Sequence, residues 1–304
     1  MSIPVRVRFL VCCVALTAAL GTLVFASAAG AAKLGDTYLA LGDSYAYGYH
    51  QALFLEEISS KGFVEPATFD DGYVDDFGAL LKLANPNLQV INDGCPGETT
   101  EAFIYGSGEP GRCANFPEAF HWPDAFLHHP YSGSQLEDAL AILKANPDVS
   151  PITLDIGGDD ALKACGPPKV CTEEQIAVLY THIAENVGII LGQLRKAAPN
   201  AQIVLLGYNN SYPTVVPDKA VEALNSALGD VAAAVPGTSF ADPLPLFNPS
   251  VVTGGPETQD IPVTCVLTGM CPEGKFNPVT GDLHPSKLGY AVLAGVVEVS
   301  FLTH

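Results

Sequence analysis

Short apolar runs alternate along this chain with stretches whose apolar residues recur every three or four positions. Tyr38 to Leu41, Leu88 to Ile91, Pro151 to Ile156, Gln202 to Gly207 and Thr238 to Ala241 predict strands. The fourth is almost continuously apolar, as in a strand buried on both faces. Between them, Gly72 to Leu83 carries Val74, Phe77, Leu80 and Leu81 at helical spacing and stops at Asn85-Pro86-Asn87. Ser134 with Glu137, and Thr172 with Gln175, are capping boxes for helices that reach about Asn146 and Ala198. Asp218 to Ala234 and Lys287 to Leu302, the latter capped by Ser286, read as two more helices. Tyr45 to Asp71, Glu101 to Gly133 and Pro243 to Gly281 show little periodicity and predict loops.

Strands alternating with helices, without internal repeats, imply βαβ units: an α/β fold with a mainly parallel sheet covered on both sides. Nothing in residues 32–304 demands a second domain. In such sheets, sites lie beyond the carboxyl ends of the strands. Three predicted strands run into glycine-bearing turns, Gly42-Asp43-Ser44, Asn92-Asp93-Gly94 and Gly157-Gly158-Asp159. The topology therefore predicts Ser44, Gly94 and Asp159 along one rim.

The N-terminal residues change the address. Arg6 and Arg8 precede an apolar run, Phe9 to Phe25, and a small-residue zone up to Ala32. Residues 1–31 read as a secretory signal peptide, with cleavage after Ala28 or Ala31, which predicts a secreted protein with no stable membrane insertion afterwards. The alternative for the same run is an uncleaved anchor, although its length is near the lower limit for a span. Of the 14 basic residues only Arg6 and Arg8 leave with this segment, and none of the 33 acidic ones, so the charge moves from −19 to −21. A chain this acidic repels phosphate backbones and anionic lipid. Nucleic acid is excluded as a partner on that ground, and a neutral or cationic substrate is favoured.

Of the eight cysteines, Cys12 and Cys13 lie in the leader. The other six fall as three pairs close in sequence, which in an exported chain predicts disulfides Cys95–Cys113, Cys165–Cys171 and Cys265–Cys271. Zinc is the competing reading, but the spacings match no CxxC pattern.

Ser44 stands at the end of a strand, where a hydroxyl activated by a base could act as a nucleophile. Gly-Asp-Ser alone is a common turn, and Ala46 occupies the place of the second glycine of a Gly-x-Ser-x-Gly elbow. His284, in Asp282-Leu283-His284-Pro285, sits just before a capped helix near the C-terminus. An imidazole there could face the same rim and serve as general base. His50, His121, His182 and His304 have no comparable setting, and His128-His129 is expected to be solvated in its loop. Asp155, Asp159 and Asp160 form an acidic cluster that could bind calcium, or satisfy backbone donors at the strand end. Tyr45, Tyr47 and Tyr49 could line a pocket or simply pack a loop.

Taken together, Gly42-Asp43-Ser44, Gly94 within Asn92-Asp93-Gly94-Cys95-Pro96-Gly97-Glu98-Thr99-Thr100, Gly157-Gly158-Asp159-Asp160 and Asp282-Leu283-His284-Pro285 resemble, in order, the four blocks of the GDSL or SGNH hydrolases. The set is similar above all to the family's secreted bacterial esterases and lipases. The resemblance implies a flavodoxin-like three-layer sandwich, no cofactor or metal, and hydrolysis of a small-molecule or lipid carboxylic ester through an acyl-serine. It implies Ser44 as nucleophile, His284 as base, and an oxyanion held by the N–H groups of Ser44 and Gly94 and by the side chain at 159.

Two positions depart from the family pattern. Position 159 is aspartate where the family has an amide donor, and an ionised carboxylate there would repel an oxyanion. A slow enzyme, or one favoured at acidic pH, is expected. The acid that orients the histidine usually stands three residues before it, where this chain has Gly281; Asp282, two before, or a main-chain carbonyl takes that part. The rival expectation is an extracellular binding protein whose chemistry has decayed. Oligomeric state and the substrate's acyl and alcohol parts leave no mark in the sequence.

Overall fold

The structure, a computed structural model, describes residues 34–106, 126–167, 169 and 171–304. Five strands form one sheet: β1 (Thr37–Gly42), β2 (Gln89–Asn92), β3 (Val149–Asp155), β4 (Ile203–Leu206) and β5 (Thr238–Ala241). Their order is β2-β1-β3-β4-β5, and every neighbouring pair is parallel. β6 (Thr268–Gly269) and β7 (Asp282–Pro285) form a separate antiparallel pair. The helices are α1 (Ser44–Tyr47), α2 (Gln51–Lys61), α3 (Tyr73–Ala84), α4 (Thr100–Tyr105), α5 (Gln135–Ala145), α6 (Gly158–Cys165), α7 (Glu173–Ala197), α8 (Asp218–Ala234), α9 (Leu244–Phe247), α10 (Ser250–Thr253), α11 (Ile261–Leu267) and α12 (Lys287–Leu302).

The order is flavodoxin-like, and its direction reverses between β1 and β3. With right-handed crossovers, the link from β1 to β2 covers one face and the links from β2 onward cover the other. Accordingly α3 packs with α12, while α7 packs with α5 and α8. The stripe Ile183, Val187, Ile190 and Leu194 on α7 is fully buried at helical spacing, so the face predicted by period 3.6 meets the sheet. β1, β3 and β4 are buried along their whole length, which explains why they read as apolar runs rather than alternating ones.

The predicted strands and long helices appear within a few residues of expectation. The quiet stretches are less empty than their periodicity suggests. The segment after Ser44 carries α1 and α2, and α2 buries only Phe54 and Glu57, so it shows no stripe. The 243–281 segment carries α9, α10 and α11, each of four to seven residues and too short to display a period. Disulfides Cys165–Cys171 and Cys265–Cys271 are formed, with Cα atoms 5.4 and 5.0 Å apart. The expected Cys95–Cys113 bridge has Cys113 outside the described residues, as have the leader, residues 1–31, and His121. Among the described residues, no helix is long and apolar enough to cross a membrane.

Candidate active site

β1 ends at Gly42, whose backbone is gripped on both sides by one amide. Gly42 N–H donates to Gln135 Oε1 at 2.6 Å, and Gln135 Nε2 donates to Gly42 O at 3.0 Å. The chain then turns into α1, with Asp43 as its cap, accepting from Tyr45 N–H at 3.0 Å. Beneath this turn lies Asp155, at the end of β3 and 0% exposed. Its Oδ1 accepts the N–H groups of Asp43 and Ala46, both at 3.1 Å, and its Oδ2 accepts Tyr73 O–H at 2.6 Å. A carboxylate at the end of the neighbouring strand thus fixes the backbone on both sides of Ser44. Burial pushes the Asp155 carboxyl up to about 7, against these hydrogen bonds. Asp43 is also raised, by burial and then by the charge of Asp155, and Tyr208 O–H donates to its Oδ2 at 2.6 Å.

His284 enters on β7. Its Nε2 is 2.9 Å from Ser44 Oγ, and its Nδ1 is 2.5 Å from Asp282 Oδ1. Asp282 Oδ2 accepts Gln51 N–H at 2.7 Å. Burial alone would raise the Asp282 carboxyl, but the charge and hydrogen bond of His284 hold it below the ordinary range. Position 281 has no room for the acid. A Cβ there would stand 2.6 Å from the carbonyl oxygens of both Asn277 and Met270. Leu283 O is itself taken by Ser211 O–H at 2.7 Å.

The rim residues divide. Asp159, in the first turn of α6, lines the same cavity as Ser44 and His284. Burial, and after it the charge of Asp43, raises its carboxyl to about 7, with Lys163 and His284 pulling the other way. Gly94 does not join them, which corrects the expectation of an oxyanion donor there. Its N–H donates to Asn92 Oδ1 at 2.9 Å, and its Cα packs so closely on the backbone that a Cβ would lie 2.4 Å from Tyr47 N. Three residues on, Gly97 lines the cavity at φ +80°, and its carbonyl accepts Lys163 Nζ at 3.0 Å. The signal missed was the spacing inside Cys95-Pro96-Gly97-Glu98: a Pro-Gly turn brings Gly97, not Gly94, to the rim.

The cavity has a volume of about 470 Å³. Tyr45 and Tyr49 stand beside Ser44, and its walls include Ile176 and Tyr180 of α7 and Val221 and Leu224 of α8. Tyr47 turns away and packs on Phe69, Phe126 and His128, with ring centroids 5.2, 4.7 and 4.6 Å apart. The 165–171 disulfide loop contributes Cys165, Gly166 and Cys171 to the wall. The suggested calcium cluster is dispersed into backbone and side-chain duties: Asp155 as above, and Asp160 accepting from Thr100 N–H at 2.9 Å and Thr100 O–H at 2.6 Å. His128 is not solvated as expected, and His129 is only partly so, with 41% of its side chain exposed. His128 Nε2 is 2.9 Å from Tyr47 O, and His129 Nδ1 is 2.8 Å from Asp93 Oδ1.

Residues 40–292 match the model of the GDSL-like lipase/acylhydrolase family. Similar solved structures include an extracellular lipase from Streptomyces rimosus, at 19% identity and TM-score 0.51, covering 87% of this chain and 99% of that one. A phospholipase A1 from Streptomyces albidoflavus NA297 is 17% identical at TM-score 0.50, over 88% of this chain and 99% of its own. An acetylxylan esterase from Geobacillus stearothermophilus is 16% identical at TM-score 0.53, over 88% and 96%. Identities this low speak for the fold alone. No curated protein matches the sequence.

Proposed function

Because the chain belongs to the GDSL-like lipase/acylhydrolase family, we propose that it is a secreted serine esterase that cleaves carboxylic esters through an acyl-Ser44 intermediate. The observation that carries this reading is the 2.9 Å contact between His284 Nε2 and Ser44 Oγ, with Asp282 on the far side of the ring. His284 takes the hydroxyl proton as Ser44 attacks the ester carbon, then returns it to the leaving alcohol. Water, deprotonated by the same nitrogen, releases the acid. Asp282 fixes the ring and stabilises the imidazolium.

The oxyanion meets the N–H of Ser44, which as the first residue of α1 has no partner within the helix, and that of Gly97. Asp159 adds a third donor only while protonated. The apolar walls and the acidic charge of the chain favour a neutral ester with an apolar acyl group; lipase, phospholipase and acetylxylan esterase are the activities named for its structural neighbours. Two formed disulfides and the leader-like residues 1–31 support export.

A fluorophosphonate probe followed by mass spectrometry tests the reading. Labelling is expected at Ser44 and lost in Ser44→Ala. A folded protein that takes no label, or takes it elsewhere, would favour the decayed binding protein instead.

A further inference from the structure

Away from Ser44, three side chains from separate parts of the chain converge: Asp93 just beyond β2, His129, and Asp138 on α5. We propose that they form a binding site for one first-row divalent cation, with Zn2+ as its probe. Their ligand atoms all lie within 4.8 Å of one another. His129 Nδ1 is 2.8 Å from Asp93 Oδ1 and 3.3 Å from Asp138 Oδ2. Those separations suit adjacent ligands on an ion with bonds of about 2.0–2.2 Å.

Asp93 makes this more than an ion pair. Its side chain is 0% exposed, and its Oδ2 is buried without any hydrogen-bond partner. Asp138 Oδ2 is likewise buried and unbonded, its approach to His129 lacking hydrogen-bond geometry. One imidazole cannot satisfy two carboxylates, and leaving buried carboxylate oxygens bare is costly. A divalent cation replaces the proton on Nδ1, neutralises both acids and uses the idle oxygens. One nitrogen with two carboxylate oxygens suits a zinc-like ion better than calcium, which prefers all-oxygen sets.

The ion would tie the end of β2 to α5, the helix whose Gln135 grips Gly42. Its effect is therefore read in stability and not in the chemical step. The full chain, treated with chelator and then dialysed, is titrated calorimetrically with ZnSO4 and melted with and without the ion. One ion per chain and a melting temperature that climbs with zinc concentration are expected. His129→Gln and Asp138→Asn change partly exposed side chains. Each should weaken binding by more than the roughly 10–100-fold that outer-sphere partners are worth, and each should abolish the thermal gain. The melting temperature of each variant without zinc reports that it is folded. Failure of the chelator-treated protein to bind zinc, or binding that survives both substitutions because other histidines hold it, overturns the site.

Discussion

Asp282 reaches His284 from two residues before it, a short route that leaves the carboxylate with no slack. One oxygen is 2.5 Å from His284 Nδ1, and the other is held by Gln51 N–H at 2.7 Å. Because a Cβ at 281 would collide with two carbonyls, the acid can only stand at 282. Asp282→Ala should therefore lower kcat by roughly 10²–10⁴ with little change in KM, as expected for loss of the group that orients the base. A drop of only a few fold in steady-state assays would hand that role to a main-chain carbonyl.

Asp159 should impose an alkaline limb on the rate. Below about 7 its carboxyl is protonated and can donate to the oxyanion; above, it is a negative charge facing another. Activity should fall as pH rises from 6 to 8. Asp159→Asn supplies an amide donor at every pH, so the limb should vanish and kcat at pH 8 should rise by at least about tenfold, given that one such donor is worth 10²–10³. An unchanged rate at pH 8 would place the oxyanion away from residue 159.

The sheet and the Ser44–His284 pair were legible because both are written locally, in apolar runs and in short blocks of residues. What escaped was long-range. Gln135 reads as an ordinary helix residue, yet it spans 93 positions to grip Gly42. Tyr208 and Asp43 are 165 apart, and neither predicts the other. Gly94 stands directly beyond β2, and only the turn through Pro96 brings Gly97, three residues on, to the cavity. His129 is partly exposed, as its loop predicts, but its partner Asp93 lies 36 residues away and leaves no local sign.

Gln135 can be tested directly. Gln135→Leu keeps the bulk of the side chain but leaves the buried N–H of Gly42 unpaired, while the Gly42 carbonyl keeps the N–H of Cys95 at 3.0 Å. One such group costs about 1–3 kcal/mol, so urea unfolding should show a loss in that range. A loss under about 0.5 kcal/mol would mean that the grip is not what holds the Ser44 turn.

The 165–171 disulfide loop forms part of the cavity wall, and α6, which ends at Cys165, also carries Asp159. Opening so short a loop costs about 2 kcal/mol in the chain-entropy picture. Its functional consequence should lie in acyl binding. Cys165→Ser with Cys171→Ser should raise KM for long-chain p-nitrophenyl esters more than for the acetate ester, with fluorophosphonate labelling of Ser44 retained. Equal effects on both esters would separate the loop from the acyl pocket.

Stability should be greatest in mild acid. Burial raises Asp75, Asp155 and Asp159 to about 7, whereas carboxyls in the unfolded chain titrate near 3.9. Between those values the folded protein holds more protons than the unfolded one, so stability falls as pH rises through that window. Asp282 acts in the opposite sense. Its folded value lies below the ordinary one, and its contribution is lost only as pH drops beneath about 4. Melting temperatures measured from pH 4 to 8.5 should peak near the acid end and decline toward 8, and Asp159→Asn should make the decline shallower. A melting temperature that climbs steadily from pH 5 to 8 would mean that these carboxyls ionise without cost, and the account of the buried cluster around Ser44 would have to be abandoned.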